Sequence, residues 1–271
     1  MFFLRFLQGA IIGAGGILPG ISGGVLCVAF GLYRPIMELF TRPKTALPRH
    51  WKMLLPALLG VLAGFIAGSA FVVLLFHSNE TMATCLFIGL IFGTFPSLWK
   101  EAGVAGHPSK ALAAGGISFV LFAALLLYMQ YGAFPQIEAG FGAFLFCGAF
   151  WGMSMIVPGL TSSSALMAMG LFEPMTEGIA ALQLSVLLPW FLGMAVIILS
   201  LSRLITTLFD RQTAVMHHVV CGFVLASTLT IIPLQYASLR EGLLCLLVGL
   251  IGIVAGYFCD KLGSNSGAAD D

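Results

Sequence analysis

Two short stretches carry the residue types best suited to chemistry: Pro19-Gly20-Ile21-Ser22-Gly23-Gly24 and Pro158-Gly159-Leu160-Thr161-Ser162-Ser163-Ser164. In each, proline removes a backbone donor, glycine lets the chain turn tightly, and a hydroxyl residue follows where a new helix could start. Free N–H groups and the positive end of the helix dipole would then point into the break, which makes an anion site. The second stretch adds four consecutive hydroxyl donors. A plainer reading is that Pro and Gly kink a helix and permit close packing while Ser and Thr bond back to the preceding turn. The ligand reading is favoured because the pattern occurs twice, at matched positions.

That match belongs to a longer repeat. Gly9 to Glu38 aligns without a gap on Gly148 to Glu177, pairing Gly13 with Gly152, Pro19 with Pro158, Gly31 with Gly170, Pro35 with Pro174 and Glu38 with Glu177, each 139 residues apart. Downstream, Leu54-Leu55-Pro56 resembles Leu187-Leu188-Pro189, and Gly60 falls opposite Gly193, at a displacement of 133. Each half is one motif segment followed by three hydrophobic stretches. The expected division is 1–139 for the first repeat and 140–262 for the second, with a small, polar, disordered tail over 263–271.

Composition says what surrounds these elements. Charged residues are 8% and apolar residues 59% of the 271, with a mean hydropathy of +1.05, against roughly 25% and 45–50% in soluble domains. A helix needs about 20 apolar residues to cross the hydrocarbon. Spans are expected over 53–76, 82–99 and 111–130 in the first half, and over 187–209, 214–233 and 242–259 in the second. The motif segments, 4–39 and 141–172, are long for one crossing and suit two half-helices of about 15 residues, or about 22 Å each. Non-helical backbone at that depth is tolerable only against protein or a water-filled cavity.

Lys and Arg placement decides between a crossing and a re-entrant hairpin. With hairpins, Arg5, Arg34, Arg42, Lys44, Arg49, Lys52, Lys100, Lys110, Arg203, Arg211 and Lys261 fall at or near the inner side, and only Arg240 lies outside. With single crossings, Arg5, Arg203, Arg211 and Lys261 move outside and Arg240 moves in. The hairpin arrangement wins. The expected fold is an all-α integral membrane protein with an inverted-topology repeat, each half one re-entrant helical hairpin plus three transmembrane helices. It is multi-pass, N-in and C-in. An odd number of spans per repeat turns the second copy upside down, as in many transporters.

The remaining features narrow the function. A net charge of +1 gives no reason to expect nucleic acid as a partner. The six cysteines lie in apolar stretches without metal-ligand spacing and read as core residues, so no metal or cofactor is expected. Glu38, Glu80, Glu101, Glu138, Glu173, Glu177, Asp210, Glu241 and Asp260 all fall at span ends or in loops, which disfavours a cation pump. Arg203 sits about two turns inside its span, either snorkelling or pairing with a phosphate. His217 and His218 are placed at the cytoplasmic interface. Gly60, Gly64, Gly68, Gly252 and Gly256 are spaced for close helix contact.

The segments ILPGISGGVLCVAFGLYRPI and IVPGLTSSSALMAMGLFEPM resemble the bacterial polyprenyl-phosphate transporter family, the undecaprenyl-phosphate translocases. The likeness runs through nearly the whole chain. It is good in the first motif, at Pro19, Gly20, Ser22, Gly23 and Gly24, and weaker in the second, where glycine would be commoner at Ser162. The resemblance implies a flippase of the bacterial cytoplasmic membrane, moving the carrier-lipid phosphate between leaflets for wall and surface-glycan synthesis. The expected phosphate-binding residues are Pro19, Gly20, Ser22, Gly23, Gly24, Pro158, Gly159, Thr161, Ser162, Ser163 and Arg203.

Three alternatives remain. Undecaprenyl-pyrophosphate phosphatases share the plan and a Pro-Gly-x-Ser motif, but there the serine is followed by arginine and accompanied by intramembrane glutamates, the groups hydrolysis needs. Gly20-Ile21-Ser22-Gly23 also matches the Gly-x-Ser-Gly of a serine protease, which would need His217 or His218 at Ser22. An anion channel could use opposed half-helix N-termini in the same way.

Overall fold

The computed structural model describes residues 2–19, 26–27, 30–32, 35–36, 38, 43–104, 106–131, 137–157, 160 and 162–267. Among them the chain is helical throughout, with no strand. The helices are α1 (Phe2–Ile17), α2 (Pro43–Ser78), α3 (Glu80–Val104), α4 (Ser109–Tyr131), α5 (Phe141–Ile156), α6 (Ser162–Ala168), α7 (Phe172–Ala180), α8 (Leu184–Arg211), α9 (Thr213–Thr230) and α10 (Leu239–Gly267). Among the described residues six helices, α2, α3, α4, α8, α9 and α10, are long and apolar enough to cross a membrane. Large apolar side chains such as Leu199, Leu239 and Leu246 point outward, more than half exposed, as lipid-facing positions do.

The helices outrun the expected spans at most ends. α2 begins ten residues before 53, carrying Arg49 and Lys52. Its 36 residues reach about 54 Å, well beyond a hydrocarbon core of about 30 Å, so its first turns stand in the head-group region. α10 continues to Gly267, so the residues expected to begin a disordered tail at 263 extend the helix instead. Small polar residues do not stop a helix that is already nucleated.

Glycine sets the packing. A Cβ on Gly9 would overlap the Ala57 carbonyl, one on Gly13 the Val61 carbonyl, and one on Gly60 the Phe6 carbonyl. These contacts advance in the same direction along both helices, so α1 and α2 run parallel with backbones touching. The second half repeats the contacts at the displacements seen in the sequence, with Gly148 against the Trp190 carbonyl, Gly152 against Met194 and Gly193 against the Leu145 carbonyl. α5 and α8 are parallel too.

The other two close pairs join the halves. In α3 and α10, Gly89 meets the Gly249 carbonyl, and Gly252 meets Leu86; in α9 and α4, Gly222 meets the Gly115 carbonyl, and Ser118 Oγ donates to the Val219 carbonyl at 2.9 Å. Exchanging the halves exchanges these two pairs. One buried cluster draws on both copies, with Ile17, Val72, Phe76 and Phe87 from the first and Phe144, Trp151, Leu166, Phe172 and Trp190 from the second. The halves thus share a core.

Candidate functional site

α1 and α5 each end at a motif. Ile17 is fully buried and Pro19 is buried behind it; Leu18 still donates its N–H to the Ala14 carbonyl at 3.2 Å, so the helix runs to the proline. α5 ends at Val157, whose backbone is extended and whose N–H bonds to the Met153 carbonyl at 2.9 Å. Gly20, Ser22, Gly23, Gly24, Pro158, Gly159 and Thr161 lie outside the described residues.

Past the second break, Ser162, Ser163 and Ser164 open α6 and are all buried. The Ser154 hydroxyl bonds to the Trp151 carbonyl at 2.8 Å, so across its 3.1 Å contact with Ser162 it is Ser162 that donates. Ser164 Oγ lies 2.8 Å from Ser227 Oγ on α9, with both residues fully buried. A cluster of neutral hydroxyls, drawn from α5, α6 and α9, therefore sits at the break within the apolar core. Each is an adaptable donor and acceptor.

Ser154 and Ser227 were not singled out from sequence. A signal existed for Ser227, because Thr94 stands at its matched position, 133 residues earlier; Thr94 donates to the Ile91 carbonyl at 3.0 Å. Ser154 matches Gly15, and no pattern marks it.

Arg203 is exposed on α8, and its side chain has no partner among the described residues. α8 and α5 are in register at Met194 and Gly152. Arg203 thus lies about 13.5 Å beyond that contact and Val157 about 7.5 Å, at 1.5 Å per residue. No hydrogen bond joins the arginine to Ser162 or Ser163.

The histidines are elsewhere. His218 is buried, 1% exposed. Its Nδ1 donates to the Ala214 carbonyl at 2.7 Å, and its Nε2 lies 2.9 Å from His107 Nδ1. Trp99 stacks on His107, with ring centroids 5.1 Å apart. His217 is held by the Thr213 carbonyl at 2.8 Å. Among the described residues, neither is bonded to Ser162, Ser163 or Ser164.

Six spanning helices, a shared core and two proline-ended helices define a multi-pass helical membrane protein built from two similarly packed halves. A sequence profile of undecaprenyl phosphate translocase-like proteins matches residues 1–112 and 105–241, and the chain belongs to that family. A polyprenyl-phosphate transporter of Vibrio cholerae serotype O1 is 26% identical over 253 residues, covering 86% of this chain and 78% of that protein. No solved structure matches the chain.

Proposed function

We propose that this protein is a polyprenyl-phosphate flippase of the bacterial cytoplasmic membrane, returning the carrier lipid from the outer to the inner leaflet for cell-wall and surface-glycan synthesis. Membership of the translocase-like family carries the reading, and the Vibrio cholerae relative, a polyprenyl-phosphate transporter, supports the substrate. In this reading the lipid head passes between the two motifs, held by Ser22, Thr161 and neighbouring backbone N–H groups, while its tail stays in lipid. Neutral donors hold an anion without trapping it as an arginine cluster would.

The directions of packed helices support an inverted repeat with re-entrant hairpins. Take the end of α2 bearing Arg49 and Lys52 as cytoplasmic. α2 and its parallel partner α1 then run outward, α3 and α10 inward, α4 and α9 outward, and α8 with α5 inward. The first helices of the two halves enter from opposite faces, and each motif segment returns to the face it entered. The N- and C-termini are then both cytoplasmic.

The test uses the full-length protein in sealed vesicles carrying polyprenyl phosphate and, separately, the pyrophosphate. Leaflet exchange of the monophosphate should accelerate with protein present, with no phosphate released from the pyrophosphate. Release that disappears in Ser22→Ala would establish the phosphatase alternative instead.

A further inference from the structure

Two grooves open on opposite ends of the molecule, and they are the same place in the two copies. The inner one, about 500 Å³, is lined by Phe2, Arg5, Trp51, Lys52 and Met53 among others. The outer one, about 430 Å³, is lined by residues that include Phe141, Phe144, Ser185 and Val186. Phe2 corresponds to Phe141 and Arg5 to Phe144 at the 139-residue displacement; Lys52 corresponds to Ser185 and Met53 to Val186 at 133. The shape repeats while the charge does not. The inner groove has two cations where the outer has a phenyl ring and a hydroxyl, and the outer groove is also lined by Glu177.

We propose that the inner groove, between α1 and α2, is the cytoplasmic-leaflet binding site for the phosphate monoester head of an isoprenoid lipid. Arg5 and Lys52 grip the phosphate, and Phe2 and Met53 receive the first part of the tail. The inference rests on the transport reading and adds to it a place of delivery distinct from the motifs.

The side chains are set for that task. Arg5 Nη1 donates to Gln8 Oε1 at 3.0 Å and to the Phe30 carbonyl at 3.1 Å. Both acceptors are neutral, so they orient the guanidinium without cancelling its charge. The Nε–Nη2 edge, the geometry that takes an oxyanion bidentately, meets no partner among the described residues. Lys52 Nζ lies 5.9 Å from the Trp51 ring centroid, a cation–π contact at head-group depth. Glu38, which does not line the inner groove among the described residues, pairs with His50 at 2.9 Å. Among the described lining residues, a lipid phosphate entering the outer groove meets no lysine or arginine, whereas one reaching the inner groove meets two. The anion is therefore held more tightly on the side where it is to be used.

The test is photo-crosslinking of the full-length protein in phosphatidylcholine nanodiscs, using farnesyl monophosphate with a diazirine in its first isoprene unit. Labelled peptides are read by mass spectrometry. Label should appear on the peptides containing Phe2 and Met53 in preference to those containing Phe141 and Val186. Lys52→Gln and Arg5→Gln should each lower it about tenfold, the low end expected for a charge-assisted contact, and Lys52→Arg should keep it. Lys52 is exposed and, among the described residues, makes only the Trp51 contact, so Lys52→Gln decides the matter even if Arg5→Gln misfolds. Equal labelling by the diazirine farnesol would remove the phosphate from the proposal, and displacement by equimolar inorganic phosphate would make this a free-anion site. Inner-groove label unchanged in Lys52→Gln would overturn the groove while leaving transport intact, because leaflet exchange in vesicles is measured independently. Absence of both label and exchange would overturn both.

Discussion

His77 Nε2, at the end of α2, lies 2.9 Å from Glu177 Oε1 on α7, joining the long helix of the first half to the motif segment of the second. The matched glutamate of the first copy, Glu38, pairs at 2.9 Å with His50 near the other end of the same helix. α2 is thus clasped at both ends by equivalent residues of the two motif segments. A segment that moves during transport must release or carry one of these clasps.

The His77–Glu177 clasp has a pH signature through Glu173. Burial, then the charges of Glu177 and Glu80, push its carboxyl above the ordinary value of 4.5, while His77 pulls it down. A carboxyl raised by folding is stabilising when protonated, and that contribution is lost as pH rises through the raised value. Glu173→Gln should therefore raise the melting temperature at pH 7.5. The difference from wild type should vanish as the pH falls below about 4.5, the unfolded value. A variant that melts below wild type at pH 7.5, with the difference closing on acidification, would show that Glu173 is held by His77 more than it is penalised by burial.

Glycine packing gives a stability test with an internal control. Gly64→Ala and Gly148→Ala each force a Cβ onto a backbone carbonyl, of Ala10 and Trp190 respectively, which neither helix can yield without separating. Each should cost about 1–3 kcal/mol in unfolding measurements, the usual range for overpacking. Gly116 has open space at its Cβ position, so Gly116→Ala should be neutral or stabilising by up to about 1 kcal/mol through helix propensity.

The hairpin topology is tested by single cysteines in a cysteine-free background. Glu177→Cys should react with a membrane-impermeant maleimide from outside, and Thr41→Cys only from the cytoplasmic side. Labelling of both from one face of intact cells would refute the inverted arrangement.

Ser22 and Thr161 occupy matched positions and should act on one phosphate. Losing a hydroxyl contact to a charged group costs about 1.5–3 kcal/mol, or roughly 10- to 150-fold in affinity. Ser22→Ala and Thr161→Ala should each weaken lipid-phosphate binding within that range, and Gly20→Val should do worse by blocking backbone approach. A double-mutant cycle should show coupling, because the phosphate left by one donor can re-centre on the other. Strictly additive losses would mean separate sites.

What the sequence determined by itself was the solvent, the all-helical class, the six spans, the duplication and the proline-ended first helix of each half. Hydrophobic length and Gly–Pro punctuation are local signals, set by the thickness of the bilayer and by backbone sterics. The glycine rows could be read as close-packing surfaces, but not which helix each would meet, because Gly89 and Gly252 carry no information about one another until the halves associate. The partner exchange of α3 with α10 and α4 with α9, the burial of His218 against His107, and the Ser164–Ser227 bond are contacts between residues more than sixty positions apart. The two grooves depend on tertiary structure most. Arg5 and Lys52 could be counted as inner-face charges from the sequence, yet only the parallel packing of α1 on α2 brings them into one groove and reveals Phe144 and Ser185 as their uncharged counterparts. Repeat symmetry preserves backbone shape, since close packing tolerates little change, while leaving groove-lining side chains free to diverge.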